Sequence, residues 1–461
     1  MSAFPHINCI ITARASFSCA VEDFPERAQR ESLGGACVVL TGSGSHELNR
    51  RSFAFLQPAA ILTTRGHDCA VDIERDILRF DADPFELVGA LARAAAAQEQ
   101  HPVPLLAGYV AYEAGRIIER LPMRTRDDLG LPDLFFLLPT RVLRLEHTSG
   151  ICEAFHLEWQ LNDRALPRLM RQPLAALPRK DAPRALVTRA AYEDAVRRVR
   201  DAIRDGEVYQ VNLSQRFIFG VADAHALWRG LLTALPAPFH AWIRAMDHDV
   251  FSTSMERFVC VNGRDIETRP IKGTRPRAAD AAEDAALTAE LLSSPKDDAE
   301  LSMIVDLERN DLGRICTLGS VTVSEHKRLE RYAHVQHLVS VVRGSLREGV
   351  GIAEVFRALF PGGSITGCPK IRAMEIIDAL EPVTRHVYTG AIGYIAANGD
   401  CDFNIAIRSG VVKDGQCHYS VGGGIVYDSD PAAEYEETLH KGAGVLRVAT
   451  TDGAEQEMQQ P

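Results

Sequence analysis

Lys272 stands in the stretch Glu267-Thr-Arg-Pro-Ile-Lys-Gly-Thr274, between a Pro-Ile step and a glycine and just after a strand-like run. Proline fixes φ and glycine opens backbone geometry denied to other residues, so a side chain held between them is well aimed. A lysine works as nucleophile or base once its pKa falls, which partial desolvation brings about. Taken alone, a Pro-x-Lys-Gly is as a rule an exposed lysine in a turn. Carboxylates elsewhere in the chain make a second set. Glu434, Glu437 and Lys441 fall at i, i+3 and i+7 and share one face of a helix that follows Gly422-Gly-Gly424. That face reads either as solvated Glu–Lys pairs or as oxygen ligands for a hard cation beside glycine amides and a lysine that could hold an anion. Glu300 shares a helical stripe with Ile304, Leu307 and Asp311; it is either an exposed first-turn carboxylate or, if buried, one that must be paired or bind metal.

Three further groups could serve a site. The loop Phe360-Pro-Gly-Gly-Ser364-Ile-Thr-Gly leads into a helix, but no Gly-Lys-Ser/Thr follows its glycines, so it is not a phosphate-binding loop. His337 lies among apolar residues, where a satisfied core histidine is the usual finding. Arg408, in Ile-Ala-Ile-Arg-Ser, reads as a charge within a strand, which must be paired or face a cavity if it is buried.

The elements that must position these groups follow from periodicity. Short strands are expected at 36–41, 52–56, 60–63 and 135–145, with a helix at 84–98 capped by Asp83. Thr188 should cap a helix ending near Gly206. Residues 207–220 then alternate, with Val211, Leu213, Phe217 and Phe219 on one face and Gln210, Asn212, Ser214 and Arg216 on the other. Further strands are expected at 250–261, 265–268, 391–397 and 403–412, and helices at 298–309, 353–360, 369–380 and 431–448. A Pro- and Arg-rich linker at 166–187 divides an N-terminal region (1–165) from a second region (188–449), and 450–461 reads as a frayed polar tail.

Composition bounds the function. The chain has 461 residues, 46% hydrophobic and 25% charged, ordinary values for a globular protein. A net charge of −11 without a basic run argues against nucleic acid, so groups that bind an anion must be local. Ten scattered cysteines with no Cys-x-x-Cys pair exclude the usual zinc spacing and fit reduced thiols in a cytoplasmic protein. No signal peptide or membrane span is expected.

Taken together, Met303-Ile-Val-Asp-Leu-x-Arg-Asn-Asp311, the 360–367 loop and Gly422-Gly-Gly-Ile-Val resemble the chorismate-utilising enzymes, a family that includes anthranilate, aminodeoxychorismate, isochorismate and salicylate synthases. The likeness runs over about 192–448. It implies an α/β fold of the α+β type, two facing, antiparallel-rich sheets wrapped by helices, with a Mg²⁺-dependent site. Residue by residue, it implies Glu300 and Glu437 as metal ligands with Glu434 close by. Arg408, Tyr388, Lys441 and the amides of Gly422 and Gly424 would hold the carboxylates of chorismate, with His337, Ser364, Gln210 and Thr274 also lining the substrate. Glu256, in Ser-Met-Glu-Arg-Phe, matches the acid that protonates the departing C4 hydroxyl, although Met255 stands where relatives commonly carry proline.

Two positions separate the branches of that family. Gln210 replaces the lysine base of the water-using enzymes. Lys272 replaces the small residue that anthranilate synthases carry in Pro-Ile-Ala-Gly-Thr, and a lysine there marks the aminodeoxychorismate-forming branch. No Leu-Leu-Glu-Ser segment for tryptophan feedback is evident. The resemblance therefore implies covalent catalysis by Lys272 with Glu256 as acid. Without a Gly-x-Cys-x-Gly elbow, ammonia is expected from a glutamine amidotransferase partner, and without an appended lyase segment the product is expected to be 4-amino-4-deoxychorismate. The alternatives are anthranilate formation or a non-catalytic homologue.

Overall fold

A long antiparallel ribbon, Arg51–Arg65 against Leu134–Glu146, is the seam of the molecule. In this computed structural model residues 7–93, 103–174, 178–179 and 181–458 are described, with side chains from 8 to 450. Parts of the expected helix at 84–98, linker and tail (94–98, 175–177, 180, 459–461) lie outside them. The two strands expected at 52–56 and 60–63 are one strand. Gln57 takes φ +54 and the register shifts between Pro58 and Ala60, so a bulge re-aims the ribbon without ending it.

That bend lets the ribbon feed two sheets. Its early half pairs with Cys37–Thr41, and the ladder continues through Phe239–Arg244, Asp249–Ser254, Ser409–Lys413, Gln416–Ile425 and Gln210–Gly220. On the other side Leu134–Glu146 pairs with Pro104–Val110. From there the ladder runs through Ala391–Ala396, Cys401–Ile405, Arg257–Asn262, Asp265–Arg269 and Val335–Ser345, which also pairs with Ile271–Pro276. All of these pairings are antiparallel. The sheets face each other: the ring of Phe53 packs 4.7 Å from that of Tyr394. A cavity of about 660 Å³ lies between them, lined from one sheet by Thr41, Phe53 and His240 and from the other by Arg257, Arg269, Tyr394 and Asp402.

Among the described residues the chain runs directly from a strand of one sheet into a strand of the other at two places. The strands expected at 250–261 and 403–412 are each two strands, broken at Met255–Glu256 and at Ala406–Arg408. A β-propensity run looks continuous because residues on both sides of the break suit a strand. The change of sheet is a tertiary event.

Local chemistry sets the helix ends. Thr188 Oγ1 accepts from Ala191 N to cap Arg189–Arg204, and Asp83 accepts from the amides of Phe85 and Glu86. Ser294 caps Pro295–Gly313, three residues earlier than expected, so Glu300 lies in the second turn and Asp297 and Asp298 occupy the first. The last helix, Pro431–Met458, runs past the expected end at 448, since Ala454-Glu-Gln-Glu457 suits a helix. It packs on Arg189–Arg204, with the rings of Tyr192 and Tyr435 5.9 Å apart. Among the described residues no helix is long and apolar enough to cross a membrane, and all ten cysteines are unpaired.

Gly108, on Pro104–Val110, is a packing residue: a Cβ there would stand 1.8 Å from Phe135 O on the neighbouring strand. Gly108→Ala should lower stability by more than about 3 kcal/mol, read as a leftward shift of the urea-unfolding midpoint.

Candidate active site

Lys272 lies not in a turn but in the strand Ile271–Pro276. The register with Val335–Ser345 shifts between Lys272 and Thr274, and Gly273 there adopts φ +66. The bulge turns Lys272 inward, where Nζ donates to Ser364 O at 3.2 Å. Burial pushes its pKa down, against the pull of Glu300 and Glu256.

Glu256 sits in the first sheet-to-sheet passage, 4% exposed. Its carboxylate accepts from Ile271 N at 3.4 Å, one residue before the lysine. Burial raises its pKa to about 7, with Ser364 and Lys272 opposing. It is therefore a carboxyl that can hold a proton near neutrality.

The second passage holds Arg408, which the sequence places within a strand. It lies instead at the break, with φ +51. Among the described residues its guanidinium has no hydrogen bond or ion pair. It lies near Tyr388 and near His337, whose pKa falls to about 4 through burial and then the Arg408 charge. Neutral His337 is held at Nδ1 by Thr274 Oγ1 (2.9 Å), while its Nε2 and both amide atoms of Gln210 are buried without partners. Orphaned buried polar atoms are costly in a finished core and expected where a polar molecule docks.

Gly422, Gly423 and Gly424 lie on the strand that pairs with the Gln210 strand. A Cβ on Gly424 would come 2.5 Å from Gln210 Nε2 and 3.5 Å from Lys272 Nζ, and one on Gly422 would come 3.0 Å from the Tyr388 hydroxyl. The bare strand leaves this space open. Gly423 points the other way, its absent Cβ 3.2 Å from Glu434 Oε2 and 3.3 Å from Glu437 Oε1.

The helix face read from the sequence thus meets the glycine strand. Lys441 Nζ donates to Gly422 O (2.9 Å) and to Glu437 Oε1 (2.6 Å). Burial pushes Glu437 up, but Lys441, with Lys296 and Lys272 beyond it, holds it below the ordinary carboxylate value. Glu434 accepts from Ser429 Oγ at 2.6 Å and is raised by burial and by Glu437. Glu300 is raised by burial, with Lys272 and Lys296 opposing and Glu437 adding to the rise. Glu300 and Glu437 therefore feel each other's charge from two helices. Among the described residues no closed cluster of three His, Cys, Asp or Glu ligands forms. Two hard carboxylates brought within reach of each other's charge from two helices fit an ion that takes its remaining ligands from substrate or water.

Sequence reasoning missed the groups that hold this site. Glu381 accepts from Ser214 N and Oγ and pairs with Arg385, which donates to Asn212 O and Ile365 O. This ties the Gln210 strand to the Ser364 loop. Lys370 reaches Asp311 at 2.6 Å and fixes the loop's far end. The one available signal was the i, i+4 Glu–Arg spacing, which also suits a solvated helix. The large cavity between the sheets is lined by none of the candidate site residues.

A family model described as chorismate binding enzyme matches residues 36–447. Aminodeoxychorismate synthase component 1 of Klebsiella aerogenes is 40% identical over 413 residues, 88% of this chain and 92% of that protein. Anthranilate synthase component 1 of Cereibacter sphaeroides is 36% identical over 441 residues, 89% of this chain and 88% of that one. Among solved structures, anthranilate synthase component I from Streptococcus pneumoniae superposes with a TM-score of 0.73 at 28% identity, covering 88% of this chain and 93% of that one. The menaquinone-specific isochorismate synthase of Escherichia coli shares the fold, with a TM-score of 0.72 at 18% identity over 97% of this chain and 95% of that one. With the match extending over both sheets and every wall of the site, the chain belongs to the chorismate-binding enzymes.

Proposed function

We propose that this protein is a component I aminodeoxychorismate synthase, converting chorismate and ammonia to 4-amino-4-deoxychorismate for 4-aminobenzoate and folate synthesis. The observation that carries the reading is Lys272 itself: its amine, with a lowered pKa, stands between the Glu256 carboxyl and the open face of Gly424. Relatives of both the aminodeoxychorismate and the anthranilate kind match over most of the chain, so the choice rests on this residue.

In the proposed reaction, Lys272 Nζ attacks C2 of chorismate, the two conjugated ring double bonds each shift by one position, and the C4–O bond breaks as Glu256 gives its proton to the leaving hydroxyl. Water departs. Ammonia then bonds to C4, both double bonds return to their original places, and the C2–N bond to Lys272 breaks with its electron pair on the amine. The new C4 ammonium returns a proton to the Glu256 carboxylate, which closes the cycle. Two allylic displacements keep the amine at the carbon the hydroxyl left. Arg408, Tyr388, Lys441 and the amides of Gly422 and Gly424 orient the substrate carboxylates, while His337, Thr274, Ser364 and Gln210 line the ring. Glu300 and Glu437, with Glu434 beside them, would hold Mg²⁺, which when bound supplies positive charge toward a substrate carboxylate. Gln210, an amide without basicity, offers no base for activating water. Ammonia is proposed to come from a separate glutamine amidotransferase chain and the reaction to take place in the cytoplasm.

Lys272→Ala should abolish 4-amino-4-deoxychorismate formation from chorismate with saturating ammonium and Mg²⁺, with the products identified by mass. Full turnover by that variant, or anthranilate as the wild-type product, would overturn the assignment.

The Glu256 carboxyl must be protonated to act as acid. With a pKa of about 7 it is competent below that value, and kcat/KM should fall as pH rises through it. Glu256→Gln should remove this limb of the pH profile and cost about a hundredfold or more in kcat. Gly424→Ala should cost at least about tenfold in kcat/KM, because its methyl would occupy the space between Gln210 and Lys272, with the melting temperature little changed.

A further inference from the structure

Arg408 is a non-glycine residue in the left-handed region, at φ +51, where an L side chain sits only when its surroundings hold it. The neighbouring strand supplies the hold. Thr253, 2% exposed, donates twice to Arg408 O, from its backbone N at 3.1 Å and from Oγ1 at 3.3 Å. The following residue, Ser409, is fixed through Oγ to Ser252 Oγ (2.8 Å) and to Ile407 O (2.9 Å). The register Ser252↔Ser409 would place residue 408 opposite Thr253 if the strand continued. There the chain instead leaves for the second sheet, and the hydroxyl adds a second bond to the carbonyl of the turning residue.

We propose that Thr253 is a positioning residue for substrate binding: by gripping the Arg408 carbonyl it fixes the left-handed turn and aims the unpaired guanidinium toward Tyr388 and His337. This rests on the reading of Arg408 as a holder of a substrate carboxylate. A β-branched residue would satisfy the strand equally well as valine, so the hydroxyl has work to do only in the turn.

Thr253→Val keeps shape, strand preference and the backbone donor, and removes only the hydroxyl. Its Kd for chorismate, measured by calorimetry with Lys272→Ala present in every protein compared so that no covalent adduct forms, should rise about three- to tenfold. With Lys272 intact, KM should rise in step, kcat should stay within about twofold, and Thr253→Ser should restore binding. Thr253→Ala makes the same comparison should the valine variant not be recovered folded. Arg408→Ala, measured alongside, separates the two claims. Weak binding by Arg408→Ala with wild-type binding by Thr253→Val overturns the positioning role and leaves the Arg408 reading intact. Wild-type binding by both overturns the Arg408 reading and the proposal with it. A binding loss in Thr253→Val that Thr253→Ser does not restore also overturns the proposal, because the hydroxyl would not be its cause.

Discussion

The structure depends on a pair of sheet-to-sheet passages that hold each other. At 255–256 and again at 406–408 the chain leaves one sheet for the other, and the two passages are joined by Ile405 N to Glu256 O at 2.9 Å and Ser254 Oγ to Ile405 O at 2.7 Å. A passage breaks the ladder and strands backbone polar groups, which are costly when buried. Crossing two neighbouring segments side by side lets each satisfy the other. The acid Glu256 and the cation Arg408 are the residues left at the break. A strand interior would have paired their backbones on both sides and sent alternate side chains into a packed face; the passage leaves them facing a gap.

That gap is lined with charge that the fold does not neutralise internally. Lys272 and Glu256 are displaced in opposite directions by the same burial, the lysine toward its neutral amine and the carboxyl toward its protonated form. A lysine and a carboxyl that met as a strong ion pair would hold each other charged. Here desolvation prevails over their attraction, so each is moved toward the protonation state that nucleophilic attack and acid catalysis require. Across the gap, Lys441 outweighs burial at Glu437, which stays ionised, while Glu300 is raised. Burial thus moves Lys272, Glu256 and Glu300 toward their neutral forms while Lys441 keeps Glu437 charged.

The rigidity of the site comes from groups outside it. The Glu381–Arg385 pair, buried and tied to backbone on the Gln210 strand and the Ser364 loop, fixes two surfaces that are far apart in sequence. Breaking one partner of such a pair leaves an uncompensated buried charge, so the arrangement tolerates little drift. Small residues do the rest. Three glycines in a row leave a stretch of strand with no side chains, which keeps the space beside Gln210 and Lys272 open.

Much was legible in the sequence because local chemistry fixes it. Caps at Thr188 and Asp83, alternation through 210–220, and the common face of Glu434, Glu437 and Lys441 follow from dihedral preference and period, and the structure keeps all of them. The blocks at 303–311, 360–367 and 422–426 carried the family resemblance, and the comparisons bear out that family. Only the tertiary structure decided where strands change sheet. It split 250–261 and 403–412, joined 52–56 to 60–63, and moved Arg408 from strand to turn. Propensity is a property of single residues and their neighbours, whereas the choice of sheet is made by partners a hundred or more residues away. The same holds for charge. The sequence names Lys272, Glu256 and Glu300 as ionisable, but their working protonation states follow from burial, which exists only once the two sheets have closed.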